Sequence, residues 1–343
     1  MTDLIERVRG ALGGENGWLV GGALRDELLG RPVIDLDVAC LDPERAARAF
    51  ARAGGGSPFP LSGRHGAWRI VLEDGRTVDF TPLATGIEDD LATRDFTLNA
   101  MARPVDGDRL VDPFGGQADI AARTIRVVSN EVFEADPLRL LRAVRLEDEL
   151  GFRCDETAEE LVRRHAALAS RAAGERILGE LERLSADGYR RLSELGLLEA
   201  LGGSSRLFDR LDAVDSPEFR LVCAFGAHLR ELPISRRLDR YARTLLRAEA
   251  PADDSPRAIH RFRRRTEPWA ADALAYLGLL KLWPAVERAR ASDPVAPLLR
   301  GDELGLPPGP EVGRMLELIA EERAAGTITT REEALELVRE RAR

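Results

Sequence analysis

Three things are scarce in this chain of 343 residues: cysteine, lysine and long apolar runs. The cysteines, Cys40, Cys154 and Cys223, are far apart. They form neither a zinc-ligand spacing nor a disulfide framework, and they fit a reducing compartment. The histidines, His65, His165, His228 and His260, are equally scattered, so no histidine metal cluster is assigned. No uninterrupted apolar stretch approaches the ~18 residues that signal a membrane helix. The opening Met1-Thr2-Asp3-Leu4-Ile5-Glu6 is amphipathic and acidic, unlike a secretory signal. A cytoplasmic protein without a membrane span is expected. Lysine is represented by Lys281 alone, so nearly all of the 50 basic residues are arginine. The arginine fork binds two phosphate oxygens at once. Formal net charge is -9, so contact with nucleic acid requires the arginines to cluster locally.

Hydrophobic residues make up 44% of the chain, enough for a sizeable core, and the length fits two or more domains. Strand signals are confined to about the first 130 residues. A helix over 2–11 leads to a strand over 17–20. A second helix over 23–29 is ended by Gly30, and a strand over 34–39 comes next. Asp42 and Pro43 read as N-cap and first turn of a helix through Ala53, broken by Gly54-Gly55-Gly56. Residues 68–72 and 77–81 read as a hairpin, and 90–101 as a helix. After Glu134 helical periodicity takes over, in segments that include 138–150, 158–173, 174–184 and 311–324.

The most informative stretch is Val20-Gly21-Gly22-Ala23-Leu24-Arg25-Asp26, with Asp35-Leu36-Asp37 beyond it. Side chains alternate along a strand, so Asp35 and Asp37 face the same way. Two such carboxylates repel unless a divalent cation lies between them, and Mg²⁺ takes oxygen ligands together with substrate phosphates. A Gly-Gly turn lets backbone N–H groups come close to a phosphate. Together Gly21, Gly22, Arg25, Asp35 and Asp37 suit a nucleoside triphosphate and metal ions. Asp79, on a hairpin arm, is a candidate third carboxylate or a solvated strand charge.

Other constellations lie further along the chain. Arg94, Asp95 and Asn99 place a guanidinium, a carboxylate and an amide within reach of a triphosphate and a ribose hydroxyl; read as helical, Asp95 and Asn99 share a face. Asp112 to Asp119 reads as a Gly115-Gly116 turn, with Asp119 capping the segment after it. Asp136 reads as an N-cap with Pro137 at the first helical position; Asp136 and Arg139 also offer an acceptor and donors to the edge of an unpaired base. Arg142 and Arg145 continue that face. Glu175-Arg176 through Glu180 is a charged helix. Arg261, Arg263, Arg264 and Arg265 form a basic run, either a solvated charge run or an RNA contact.

In order and content these stretches resemble the class II tRNA nucleotidyltransferases, the bacterial CCA-adding enzymes and their relatives the poly(A) polymerases. The resemblance implies an α+β protein, with a nucleotidyltransferase-type mixed-sheet head at 1–132. Beyond it come an all-helical neck (133–190), body (191–300) and tail (301–343). It implies catalysis by Asp35 and Asp37 with two Mg²⁺ ions, and Asp79 as a further candidate metal ligand. Arg94, Asp95 and Asn99 then correspond to ribose recognition, Asp136 and Arg139 to an amino-acid template for CTP or ATP, and Glu175, Arg176 and Glu180 to its support. Asp112 to Asp119 corresponds to the hinge between head and neck. The partner implied is the tRNA 3′ end, gripped by helical arginines; oligomeric state stays open, a monomer included.

The chain departs from the family pattern at Thr93, where a second arginine is usual, and at Ala135, where an acid usually precedes the aspartate. Only eight residues run from Pro82 to Asp89, where complete CCA-adding relatives carry a longer flexible loop. That shortness resembles the CC-adding subgroup. The competing readings are complete CCA addition, A addition and poly(A) tailing, and, in a different class, a non-catalytic RNA-binding protein.

Overall fold

The computed structural model describes residues 2–61, 66–294 and 296–341; His65 lies outside the described residues. The chain forms two compact units, Met1–Leu201 and Gly202–Arg343.

The first unit begins with α1 (Thr2–Leu12), β1 (Gly17–Val20), α2 (Gly22–Leu28), β2 (Asp35–Cys40) and α3 (Pro43–Gly54). Asp42 accepts a hydrogen bond from the Arg45 N–H and Pro43 opens α3, as its sequence predicts. β3 (Ser57–Pro60), β4 (Trp68–Val71), β5 (Thr77–Pro82), α4 (Ile87–Ala92) and β6 (Ala102–Pro104) complete the head. The six strands lie in the order β3-β4-β5-β2-β1-β6. Only β2 and β5 pair in parallel, with Asp37 beside Asp79. The alternation along β2 decides which face is which. Leu36 and Val38 are buried, as are their β5 neighbours Val78 and Phe80, and Phe80 packs edge-on against Phe50 of α3. Asp35 and Asp37 therefore emerge on the opposite face.

The expected helix over 90–101 is not formed. Helix α4 ends at Ala92, and a single 3-10 turn covers Thr97–Asn99. The Asp95 carboxylate accepts from the Phe96 N–H, a local bond that competes with helix. The Thr97 N–H donates to Arg126 and the Val128 N–H to Asp95, strapping the segment to a distant part of the chain. Two further differences concern caps. Asp119 does not cap a helix: in α5 (Gly116–Ala122) it is buried, and it accepts from Thr97 Oγ1 and Arg126. Asp112 instead accepts from the Gly116 and Gln117 N–H groups. A Cβ on Gly116 would lie 2.3 Å from the Thr97 carbonyl oxygen, so the turn needs glycine there.

Beyond α5, the short β7 (Thr124–Ile125) pairs with β8 (Arg153–Cys154). Past Glu134, β8 is the only strand among the described residues; the rest is helical. The helices of this unit are α6 (Val132–Ala135), α7 (Arg139–Leu150), α8 (Glu156–His165), α9 (Gly174–Leu181), α10 (Ala186–Glu194) and α11 (Leu197–Ala200). Asp136 lies before α7 in an extended conformation, and its Oδ1 accepts from the Leu138 N–H. It caps the entering turn, while the regular helix starts at Arg139.

Glu147 of α7 is 1% exposed and accepts from both Arg191 of α10 and the Cys154 N–H of β8. Removing a buried charged partner strands its donors, so Glu147→Ala should lower unfolding free energy by about 3 kcal/mol. Urea denaturation measures this, and a loss below about 1 kcal/mol would show the bond set to be structurally idle.

The second unit contains α12 (Pro217–Phe225), α13 (Arg236–Leu246), α14 (Pro256–Thr266), α15 (Ala270–Leu277), α16 (Trp283–Ala291), α17 (Pro310–Ala324) and α18 (Arg331–Arg341). Ile259, Phe262, Leu274 and Val286 form one core, and Met315, Ile319, Ile328 and Val338 another.

Candidate active site

The site is built where β1 runs into α2 and where the acids leave β2. Gly21 ends the strand with φ 75°, a left-handed value that favours glycine. A Cβ there would come within 3.0 Å of both Arg94 Nη1 and Asp37 Oδ2, so the turn, Arg94 and Asp37 meet at one point. A Cβ on Gly22 would be 3.2 Å from Arg25 Nη2.

Asp35 is exposed, and its Oδ1 accepts from Thr77 Oγ1 at 2.6 Å. Asp37 is half-buried. Burial pushes its pKa up to about 6, Asp79 and Asp35 add to the rise, and Arg94 and Arg69 oppose it. A carboxyl raised by burial first and by neighbouring acids second carries a charge that Arg94 and Arg69 only partly offset, and its hard oxygen donors fit a divalent cation. Among the described residues no group of three or more acidic, histidine or cysteine side chains is drawn together as a ready cage. Asp79 has another partner: both its oxygens accept from Arg69, at 2.7 and 2.6 Å.

The other predicted residues are linked in a chain of charge. Arg25 donates to Asn99 Oδ1 at 2.8 Å and also pairs with Asp26. Asn99 Nδ2 donates to Asp95 Oδ1 at 3.1 Å, so the two are neighbours although no helix joins them. Arg142 Nε donates to Asp95 Oδ2 at 2.8 Å. Burial alone would raise the Asp95 pKa. The Arg142 charge, with hydrogen bonds from Asn99, Arg142 and the Phe96 N–H, holds it below the usual carboxylate range. Arg142 also approaches Glu180, which takes Arg145 at 2.5 Å, and Arg145 continues to Glu149. Arg176 pairs with Asp136 at 2.8 Å, and Arg139 donates to the Thr93 carbonyl at 2.7 Å. Glu175 is exposed.

Arg94, Asp95, Asp136, Arg139, Arg142 and Arg176 line one cavity of about 210 Å³. That is below the ~300–1,000 Å³ of a whole-ligand pocket, so it suits part of a nucleotide. The sequence groups meet there although α7 and the Arg94 segment are far apart in the chain.

The basic run on α14 behaves differently. Arg261 pairs with Glu321, Arg263 with Asp293 and Glu267, Arg264 with Glu317, and Arg265 with Glu249. All four cations have carboxylate partners within their own unit. Sequence reasoning missed Arg69 altogether. The turn read over 73–76 would set Arg69 opposite Phe80; in the structure Leu72 pairs with Arg76, the loop is 73–75, and Arg69 lies opposite Asp79.

No helix among the described residues is long and apolar enough to cross a membrane. Residues 17–126 match the family of the poly A polymerase head domain. The chain is 34% identical to an A-adding tRNA nucleotidyltransferase from Deinococcus radiodurans, the match covering 92% of this chain and 93% of that protein. It is also 34% identical to a CC-adding tRNA nucleotidyltransferase from Geobacter sulfurreducens, covering 94% and 91%. A crystal structure of the Bacillus stearothermophilus CCA-adding enzyme in complex with CTP superposes with a TM-score of 0.76 at 26% identity, covering 99% of this chain and 96% of that one. Nucleotidyltransferases of this kind generally use divalent metal ions. Likeness of this extent to both an A-adding and a CC-adding relative identifies the chain as a member of the tRNA nucleotidyltransferase family.

Proposed function

We propose that the protein adds cytidines to the 3′ end of tRNA from CTP, releasing pyrophosphate, and stops at CC. The observation that carries the chemistry is the meeting of Gly21, Arg94 and Asp37 at one point, with Asp35 beside Asp37 on the same face of β2. Gly21 and Gly22 leave the backbone open to a triphosphate. Arg94 and Arg25 lie near enough to balance its charge after exchanging their present partners. Asp35 and Asp37 would hold two Mg²⁺ ions. When bound, such ions activate the RNA 3′ hydroxyl and stabilise charge on the α-phosphate and the departing pyrophosphate. Asp95 and Asn99 bind the sugar, and Asp136 and Arg139 present hydrogen-bonding groups to the base. Arg176 and Glu180 hold that base-reading pair in place, the first through Asp136 and the second through Arg142 and Arg145.

One feature supports the stop at CC. The residues that separate β5 from α4 are only 83–86, and the Leu83 N–H is tied to the Cys40 carbonyl. So short and pinned a connection cannot swing across the pocket to re-aim Asp136 and Arg139 from C to A. In this reading the chain is a head (1–132), neck (133–190), body (191–300) and tail (301–343), with the tRNA end bound by arginines of the helical part, in a cytoplasmic protein. Binding carried by arginine on phosphate should weaken steeply with added salt, and a flat salt dependence counts against it.

A second reading, A addition, is favoured by the equal likeness to an A-adding relative. One experiment separates the possibilities. Transfer RNA lacking its 3′ end is incubated with CTP and ATP together, and the products are sequenced. The expected product ends in CC. A majority ending in CCA overturns the CC-only reading and leaves nucleotide transfer standing. Addition of A only to CC-ended substrate points to an A-adding enzyme, and a long homopolymer to tailing. No incorporation at any metal concentration points to an RNA-binding protein.

A further inference from the structure

One cation beside the acidic pair, Arg69, is given no role in the proposed reaction. Arg69 on β4 lies opposite Asp79 on β5, and Asp79 lies beside Asp37 on β2. Cross-strand neighbours share a face, so Arg69, Asp79 and Asp37 form one row across the sheet. Arg69 Nε and Nη2 each donate to a different Asp79 oxygen, a two-pronged charge-assisted contact. Asp79 is 8% exposed, whereas the Arg69 side chain is 36% exposed. The acid is thus enclosed and its partner comes from the solvent side.

We propose that Arg69 is a positioning residue that keeps Asp79 out of the metal shell, so that divalent cations are held by Asp35 and Asp37 without a third carboxylate. The proposal rests on the reading that those two acids bind the metal. Its physical basis is charge and occupancy. Three unpaired carboxylates in one patch would repel one another. A guanidinium clamped on the outermost acid cancels one charge and satisfies both oxygens. For Asp79 to ligate a metal it would have to share or give up the oxygens that Arg69 holds, with the strongly basic guanidinium beside the incoming cation. The row is thereby divided: Arg69 and Asp79 form a neutral, closed pair at one end, and Asp37 and Asp35 remain open at the other.

Mn²⁺ binding to the full chain without nucleotide, read from the electron paramagnetic resonance signal of unbound Mn²⁺, tests this. Arg69→Met should bind Mn²⁺ about tenfold more tightly than the unaltered protein, because the freed Asp79 carboxylate adds a charge beside Asp37. The double variant Arg69→Met with Asp79→Asn replaces one neutral pair by another and should bind within about twofold of the unaltered protein. A loss of tenfold or more in the double variant makes Asp79 a ligand and overturns the proposal. Unchanged affinity in Arg69→Met overturns it as well, and this arm decides alone if the double variant does not fold. Asp37→Ala is the control for the underlying reading. If it binds Mn²⁺ as tightly as the unaltered protein, the metal lies elsewhere, whatever Arg69 does.

Discussion

Replacing Asp37 by alanine should lower nucleotide transfer by about a thousandfold or more, some 4 kcal/mol of transition-state stabilisation, and Asp35→Ala should do the same. Both acids stand on the central strand of the sheet, on the face away from the Leu36 and Val38 core, so neither change opens a cavity. Fold and transfer can therefore be separated: far-ultraviolet circular dichroism should be unaltered while incorporation collapses. Wild-type rates in either variant, with magnesium as the only added metal, would remove these residues from the chemistry. Asp37 adds a pH signature to this experiment. Its pKa in the folded chain, about 6, stands above the ordinary 3.8. Ionising it is harder folded than unfolded, so it works against folding once the pH exceeds 3.8, and fully above about 6. In metal-free buffer Asp37→Asn should consequently be more stable than the unaltered protein above that pH. The advantage should shrink as pH falls towards the unfolded value. Thermal unfolding at several pH values reads it, and a variant less stable at pH 8 would contradict the crowding of charge assigned to this site.

How far the sequence foretold this site depends on which contacts are local. β2 was legible because alternation is a property of six consecutive residues, and α3 because its cap and first turn adjoin. β3 and β6 were not. Ser57-Pro58-Phe59-Pro60 carries two prolines, which a central strand excludes, and β3 survives because it is the edge of the sheet. β6, only Ala102–Pro104, exists through its pairing with β1, which no local pattern announces. The segment around Asp95 shows the reverse error. Read as helical, Asp95 and Asn99 share a face, and the two do touch, yet the backbone bonds from Thr97 to Arg126 and from Val128 to Asp95 determine the conformation. Asp136, Arg139 and the supporting Arg176 and Glu180 were singled out by motif, but which side chain pairs with which was not. Arg176 reaches Asp136 across 40 positions, and Arg142 reaches Asp95 across 47. Such pairs are consequences of packing, and only the folded chain reveals them.

The bond from Arg142 to Asp95 is also where the largest loss of stability is expected. Asp95 is 6% exposed and charged, with the Phe96 N–H and Asn99 as its other donors. Arg142→Met keeps much of the side-chain bulk and removes the cation. A buried carboxylate deprived of its ion-pair partner typically loses about 3–5 kcal/mol at neutral pH. Glu180 is spared because Arg145 continues to hold it. The pH dependence identifies the cause. With Arg142 in place the Asp95 pKa is depressed, so the pair contributes stability above the ordinary carboxylate value, and that contribution fades as pH falls through the depressed value. Without Arg142, burial is the dominant influence and the pKa rises. The variant is then penalised most at high pH and is relieved as Asp95 takes up a proton. The gap between the two proteins should be widest near pH 8 and should narrow towards pH 5. Urea unfolding at those two pH values measures it, and a gap that does not change with pH would mean that Arg142 acts through packing rather than through the charge of Asp95. Transfer should fall in parallel, because Asp95 lines the cavity that Asp136 and Arg139 complete and holds Asn99, with which it forms the proposed sugar contact. A variant that is destabilised but transfers normally at low temperature would separate the two roles and leave Arg142 purely structural.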